Sequence, residues 1–172
     1  MIFGIDASNI KSGGGKTHIV NLINYLKPQY PFEKVILWCN KDIANLIDDK
    51  KWLEKKILPV FSSNVLKRFY WQIFYLPVAA RKNKINILFN LDGKFIPFTN
   101  YVTISQNMLP FQLKEAARYG LSYTFVRLLI LRIIYKIAFK NAKGLIFLTN
   151  FSKDYIQNAI GKINCQKKRN TP

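Results

Sequence analysis

Residues 2–26 of the chain read IFGIDASNIKSGGGKTHIVNLINYL. A short apolar run ends at Asp6, a polar connection follows, and three glycines precede apolar residues at helical spacing. This order predicts a β-strand, a glycine-rich turn and the start of an amphipathic helix. A helix N-terminus offers free N–H groups and partial positive charge, and glycine allows close approach to the backbone. The stretch therefore indicates a loop that faces a phosphate.

Further apolar runs alternate with helical patterns along the rest of the chain. The apolar runs are VILWC from residue 35, ILPVF from 57, INILF from 85, YVTI from 101 and GLIFL from 144. Helices are predicted over residues 42–56, 64–84, 114–140 and 151–160. The second is predicted to be capped by Ser63 and interrupted at Pro77, and the third to be broken near Gly120. Strands that are apolar throughout are typical of parallel sheets, and their alternation with helices predicts βαβ units. We therefore predict an α/β fold with a Rossmann-like, doubly wound and mostly parallel sheet over residues 1–160.

The composition is that of a folded protein with a large excess of positive charge. Hydrophobic residues make up 49% of the 172 residues, which excludes a disordered chain. The 27 Lys and Arg against 9 Asp and Glu give a net charge of +18, which attracts polyanions. We expect no nucleic-acid partner, because the sequence contains no recognisable nucleic-acid-binding module. The two cysteines have no metal-ligand spacing, and we expect no metal cofactor.

One interpretation of the glycine stretch is a P-loop. The segment KSGGGKT, from Lys11 to Thr17, resembles the deviant Walker A loop of ParA/MinD-like ATPases. In that interpretation Lys16 contacts the β/γ oxygens, Thr17 binds magnesium and Asp92 is the Walker B carboxylate. However, a serine replaces one glycine of that loop, and the polar segment DASNI separates the loop from its strand. The ATPase is therefore kept as the alternative.

Three blocks of sequence together resemble a different family. They are the opening I-D-A-S-N-I-x-S-G-G-G-x-T-H-I, the segment SQNMLPF from residue 105, and AKGLIFLTNFSKDYI from residue 142. In this order and spacing they resemble the N-terminal domain of bacterial retaining glycosyltransferases of family 4. The resemblance implies one half of a GT-B fold, on the acceptor side. It also implies transfer of a hexose from a nucleotide-sugar to a lipid-linked or oligosaccharide acceptor in surface polysaccharide (lipopolysaccharide or capsule) synthesis.

The resemblance implies roles for individual residues. The loop facing the donor diphosphate would contain Gly13, Gly14, Gly15, Lys16, Thr17 and His18. The acceptor would be bound by Gln106, Asn107, Glu115, Arg118, Thr149 and Asn150. No catalytic base is implied, because in retaining enzymes of this kind the departing phosphate is thought to deprotonate the acceptor. The structural alternatives are a partly exposed helical position for His18, a surface ion pair between Glu115 and Arg118, and a helix cap at Thr149 or Asn150.

A family 4 enzyme also has a C-terminal domain, which carries most of the nucleotide-sugar contacts and an E-x(7)-E motif. No such motif occurs in this sequence. We therefore expect a truncated, frameshifted or split enzyme that is inactive without its missing C-terminal domain. Residues 161–172, GKINCQKKRNTP, have no periodicity and are predicted to be a disordered or truncated tail.

The apolar segment LSYTFVRLLILRIIYKIAF, residues 121–139, raises the question of membrane contact. Basic residues in its middle oppose a spanning helix. Because Arg132, Lys136 and Lys140 are four residues apart, we expect them to form a stripe on one helix face. Such a helix either packs on the sheet with a charged edge in water, or also lies on an anionic bilayer. No signal peptide is visible in the first residues. We expect a cytoplasmic protein with possible peripheral contact at the inner face of the cytoplasmic membrane.

Overall fold

The computed structural model describes residues 1–11, 13–27, 29 and 31–161. The six strands are β1 (Ile2–Asp6), β2 (Lys34–Trp38), β3 (Leu53–Lys56), β4 (Ile85–Asn90), β5 (Tyr101–Ser105) and β6 (Gly144–Phe147). The helices are α1 (Gly14–Tyr25), α2 (Lys41–Ala44), α3 (Val65–Phe74), α4 (Leu76–Lys82), α5 (Leu113–Ala117), α6 (Tyr123–Asn141) and α7 (Asn150–Ile160), with a 3-10 turn over Pro59–Ser62. Except for Gly161, the predicted disordered tail lies outside the described residues.

The six strands form a parallel sheet in the order β3-β2-β1-β4-β5-β6. Gly4 of β1 lies opposite Ile36 of β2 on one side and Leu88 of β4 on the other. Helices connect the strands, as the alternation of apolar runs and helical patterns predicts, except between β4 and β5, where residues 91–100 form a connection without a helix. The predicted α/β, Rossmann-like fold class is therefore confirmed.

The described chain divides into two compact units. Unit 1 consists of Met1–Asp92 and Ile96–Tyr101, and unit 2 of Gly93–Phe95 and the chain from Val102 onward. The expectation of a single domain over residues 1–160 stays a prediction.

The core of unit 1 forms around its central strands. A Cβ added at Gly4 would lie 3.0 Å from the Ile85 side chain and 3.1 Å from those of Leu88 and Trp38, so close packing requires glycine there. Cys39, directly after β2, is completely buried, and burial raises the pKa of its thiol to about 12.

Unit 2 has its own core of stacked aromatic rings. The ring of Phe111 lies 5.9 Å from that of Phe139 and 6.4 Å from that of Tyr135, and the last two are 5.8 Å apart. Ile156 and Ile160 of α7 complete this buried cluster. Helix α6, which follows the predicted break at Gly120, therefore places core residues of unit 2 on one of its faces.

The prediction of one helix over residues 42–56 is wrong. Helix α2 ends at Ala44, and the last four residues of that segment, LEKK, form the edge strand β3 beside β2. Glu54 of this strand makes ion pairs with Lys34 and Lys56. Charged residues are common on edge strands. Because β3 is rich in them, a search for apolar runs does not detect it. The neighbouring apolar run ILPVF contributes to the 3-10 turn instead of a strand.

The predicted interruption at Pro77 is confirmed. Helix α3 ends at Phe74 and α4 begins at Leu76, which places the proline in the first turn of α4, where its missing N–H costs nothing. The predicted cap of α3 by Ser63 is wrong, because Oδ1 of Asn64 accepts the hydrogen bond from Lys67 N at 2.9 Å.

Candidate functional site

The loop between β1 and α1 is held in unit 1 by buried hydrogen bonds. Asp6 accepts a hydrogen bond at Oδ1 from Ser8 N at 3.1 Å, which forms a tight turn directly after the strand. Asn40, which is buried after β2, donates from Nδ2 to the carbonyl of Ile10 at 2.9 Å. Side chains at the carboxyl ends of two neighbouring strands therefore fix the path of the chain toward the glycines.

The side chain of Lys11 continues this anchoring on the other side of the loop. Its Nζ donates to the carbonyls of Ser62 at 3.2 Å and Ser63 at 2.9 Å. In the P-loop interpretation this lysine is the first residue of the Walker-like segment. The structure places its amine on backbone carbonyls that precede α3.

The N-terminus of α1 is open and has no side-chain cap. Gly13 is the N-cap residue, with φ 71° and ψ −159°, a conformation that is essentially restricted to glycine. A Cβ added at Gly13 or Gly14 would meet no atom within 4 Å, and the first turn contains no acidic residue. The first backbone N–H groups of α1 can therefore bind an anion that approaches this end.

The other residues predicted to face the donor lie in the first turns of α1. Thr17 is exposed, whereas Lys16 and His18 are half-buried. The position of His18 thus agrees with its structural alternative, a partly exposed helical residue. All six predicted donor-loop residues belong to one short segment of unit 1.

A buried polar cluster lies at the carboxyl ends of β1 and β4 and connects them to α3. Gln72, which is completely buried, donates from Nε2 to Oδ2 of Asp6 at 2.5 Å and to Oδ1 of Asp92 at 3.2 Å. Its Oε1 accepts from Nδ2 of Asn9 at 2.8 Å. Asn90 Oδ1 accepts from the backbone N–H of Asp92 at 3.0 Å. We call these five residues the Asp6 cluster.

Two carboxyl groups in this cluster influence each other. The pKa of Asp6 is raised from 3.8 to about 6, first by burial and second by the nearby charge of Asp92. Hydrogen bonds from Ser8 and Gln72 oppose the shift. Asp6 therefore changes its protonation state close to neutral pH, unlike an ordinary surface aspartate.

Arg68 lies one helical turn before Gln72 and is 7% exposed. Its Nε and Nη1 have no hydrogen-bond partner among the described residues, and the same holds for Ser8 Oγ and Asn9 Oδ1. Burial lowers the pKa of the guanidinium, while the charge of Asp92 opposes this. Buried donors and acceptors of this kind require partners such as ordered water.

Sequence reasoning missed the two α3 residues of this region. Arg68 and Gln72 are four residues apart and lie on the same face as the buried Trp71. The sequence did contain one indication of this cluster. Two long polar side chains occupy the face of α3 that the helical pattern assigns to the core. Asp6 was recognised as the polar residue that ends the first strand, but its partners were not.

The predicted acceptor residues lie in unit 2. Gln106 and Asn107 follow β5 and are exposed, and Asn107 Oδ1 accepts from Leu109 N at 3.1 Å. Glu115 and Arg118 form an ion pair at 2.9 Å with spacing i,i+3, as in the surface-pair alternative.

The last two predicted residues lie at the start of α7. Thr149 caps this helix: its Oγ1 accepts from Ser152 N at 3.0 Å, and Ser152 Oγ lies 3.3 Å from Thr149 N in a reciprocal capping box. Asn150, the first residue of α7, is exposed. The sequence left two roles open for this pair, acceptor binding or a helix cap. The structure contains the cap, and Thr149 forms it.

The basic stripe predicted on α6 is only partly present. Arg132 is half-buried, donates from Nη1 to the carbonyl of Phe111 at 3.1 Å and lies 6.0 Å above that ring. Lys136 and Lys140 are exposed. Arg132 therefore contributes to the core of unit 2 and does not share an exposed face with the two lysines.

Within the described ranges, no group of three or more His, Cys, Asp or Glu side chains is arranged to hold a metal ion. No helix among the same residues has the length and apolar character needed to cross a membrane. Comparisons with models of known protein families, with curated proteins and with solved structures found no match to this chain.

Proposed function

We propose that this chain is the acceptor-side domain of a retaining family 4 glycosyltransferase. The observation that supports this most is the open glycine N-terminus of α1, which lies just beyond the carboxyl end of β1. In open α/β sheets ligands bind beyond the carboxyl ends of the strands. The resemblance of the sequence to that family assigns the donor diphosphate to this loop.

The chemistry of such a loop follows from its backbone. When the bond between sugar and diphosphate breaks, negative charge builds up on the phosphate oxygens. Free N–H groups at Gly13 and Gly14, together with the positive end of the helix dipole, stabilise that charge. The turn at Asp6 and the bond from Asn9 to Gln72 keep the loop in place, so little reorganisation is needed during the reaction.

The acceptor would meet amide side chains in this proposal. Gln106 and Asn107 can exchange hydrogen bonds with sugar hydroxyls, but an amide cannot act as a general base. The departing phosphate would therefore take the acceptor proton. The nucleotide and the donor sugar would be bound mainly by a C-terminal domain, so we expect no turnover from the 172 residues alone.

Two substitutions of one residue test the role of the loop. Gly14→Asp places a carboxylate in the first turn of α1, where it favours the helix but repels a phosphate. Gly14→Asn has nearly the same shape without the charge. Pyrophosphate and UDP are titrated into the full ¹⁵N-labelled chain, and backbone amide shifts are recorded.

We expect weak binding that moves the amides of residues 13–15 in the wild type and in Gly14→Asn. Gly14→Asp should lose this binding while its thermal midpoint does not fall. Equal binding by all three proteins would contradict a role of the loop in phosphate recognition. In a second assay, a donor-binding domain of a family 4 enzyme is added together with its nucleotide-sugar, and binding should require both parts.

The ATPase alternative makes the opposite prediction. A P-loop binds Mg-ATP tightly, and that binding depends on its lysine and threonine. Magnesium-dependent ATP binding by the isolated chain that is lost in Lys16→Ala and Thr17→Ala would overturn the transferase proposal. We expect no such binding.

A further inference from the structure

An apolar stripe runs along the solvent-exposed face of α6. Its five residues follow each other at intervals of three and four, which places them on one side of the helix. They are Tyr123, Val126, Ile130, Ile133 and Ile137, with 83%, 52%, 53%, 60% and 46% of their surface exposed. The buried residues of the helix, Leu128, Tyr135, Ala138 and Phe139, lie on the opposite side. We call the exposed set the α6 stripe.

The stripe is unusual for a surface helix. A helix packed on a protein core normally presents polar and charged residues to water. Helix α6 contains 19 residues, so it is about 28 Å long. Contiguous exposed apolar surface along such a length indicates an interaction site.

The charged residues of α6 itself are all basic. Arg127, Lys136 and Lys140 are exposed on α6, with Arg127 on one side of the stripe and the two lysines on the other. Residues 116–153 contain seven Lys or Arg and no Asp or Glu. An apolar strip between basic edges complements a surface that is apolar below and anionic at its boundary.

Two other ways of covering the stripe fit these residues less well. A second copy of the chain, packed through the same face, would bring the basic edges of the two helices together, and like charges oppose such contact. Insertion across a bilayer would place Arg127 and Lys136 within the hydrocarbon, at a cost for each charge.

We propose that the α6 stripe lies on the surface of a membrane that contains anionic lipids. Ile130, Ile133 and Ile137 enter the boundary between headgroups and acyl chains, while Lys136 and Lys140 contact the lipid phosphates. This inference does not depend on the glycosyltransferase proposal, because membrane binding is measured without donor or acceptor.

The test is flotation of the full chain with vesicles of phosphatidylcholine, either pure or with about 30% phosphatidylglycerol. Three double variants are compared with the wild type. Ile130→Gln/Ile133→Gln removes apolar contacts, Lys136→Gln/Lys140→Gln removes charge, and Leu66→Gln/Tyr70→Gln is a matched control on the exposed face of α3. All six positions are exposed, so the folded core is not altered.

We expect the wild type to bind the anionic vesicles and to release them as salt rises from about 0.1 M to about 0.5 M. The isoleucine pair should weaken binding by at least tenfold, and the lysine pair by about fivefold for each lost charge. The α3 control should bind like the wild type.

Several outcomes would overturn the proposal. One is wild-type protein that stays unbound at low salt, and another is an isoleucine variant that binds as well as the wild type. Loss of binding in the α3 control with retention in the α6 variants would assign the contact to α3. A wild-type dimer in gel filtration that the isoleucine pair converts to a monomer would show that a second copy covers the stripe.

Discussion

Gln72 donates a hydrogen bond from Nε2 to Oδ2 of Asp6 over 2.5 Å, although 66 residues separate them in the sequence. The same side chain contacts Asn9 and Asp92, so one residue of α3 joins the ends of β1 and β4 to the loop that leads to α1. The stability of this region therefore depends on polar groups that are removed from water.

Replacing Gln72 by leucine should destabilise the protein by about 3 kcal/mol. The substitution removes one partner from the buried Asp6 and one from the half-buried Asn9, and the loss of a buried partner costs about 1–3 kcal/mol. Urea unfolding monitored by circular dichroism measures the change. Gln157→Leu, an exposed helical glutamine on α7, serves as the control and should change the free energy of unfolding by less than about 0.5 kcal/mol. Equal effects of the two substitutions would contradict the importance of the Asp6 cluster.

The raised pKa of Asp6 predicts a specific pH dependence of stability. Its pKa is about 6 in the folded chain and 3.8 normally, so the folded state holds the proton more tightly. The contribution of Asp6 is therefore most favourable below about pH 4, decreases as the pH rises to about 6, and is constant above that. The shift corresponds to about 3 kcal/mol.

Asp6→Asn isolates this contribution together with its coupling to Asp92, because carboxyl groups outside the Asp6 cluster titrate equally in both proteins. The difference in the free energy of unfolding between variant and wild type should change by about 2 kcal/mol between pH 4 and pH 7, in favour of the variant at higher pH. Asp92→Asn should lower the apparent pKa of Asp6, since the charge of Asp92 is one cause of the shift. A difference that does not vary with pH would show that Asp6 is ionised normally in the folded protein.

The two adjacent glycines at the start of α1 should respond in opposite ways to alanine. Gly13 has φ 71°, and we expect Gly13→Ala to cost about 1–3 kcal/mol from backbone strain alone, because space for the methyl group is open. Gly14 has a helical conformation and equally open surroundings, so Gly14→Ala should be neutral or stabilise by up to about 0.5 kcal/mol. Thermal unfolding of both variants checks the pair, and a stabilising Gly13→Ala would be inconsistent with the positive φ.

Asn40 both caps a helix and anchors the loop that leads to α1. Its Oδ1 caps α2 through Ile43 N at 2.9 Å, while its Nδ2 donates to the carbonyl of Ile10 at 2.9 Å. Asn40→Ala should therefore cost about 2–4 kcal/mol. Asn64→Ala removes an exposed cap of α3 and should cost about 1 kcal/mol. Similar losses in the two variants, measured by urea unfolding, would show that the contact with Ile10 contributes little.

Apolar runs and helix breakers were sufficient to predict most of the fold. The strands that end at Asp6 and Asn90 follow directly from residue type, because burial on both faces needs continuous apolar sequence. The interruption at Pro77 and the break near Gly120 follow from the helix-breaking residues themselves. The edge strand β3 could not be predicted in this way. Lys55 of this strand donates hydrogen bonds to the carbonyls of Ala44 and Ile47 and to the carboxylate of Asp49. These contacts depend on the folded chain.

Only the part of the candidate site that lies within one continuous segment could be predicted from the sequence. The open N-terminus of α1 follows from the glycines themselves. The Asp6 cluster could not be derived, because Gln72 reaches Asp6 only after β1, α3 and β4 have assembled. Arg132 shows the same limit: its spacing from Lys136 suggested a shared exposed stripe, whereas its guanidinium contacts Phe111.

The burial of Cys39 makes this residue a reporter of transient opening in unit 1. Thiol reagents attack the thiolate, and a side chain with 0% exposure and a pKa near 12 reacts only while its surroundings are open. With Cys165 replaced by serine, the rate of Cys39 modification at limiting reagent measures how often β2 separates from its neighbours. Variants that loosen the Asp6 cluster should then be recognised by faster labelling, even where the equilibrium signal of the folded chain is unchanged.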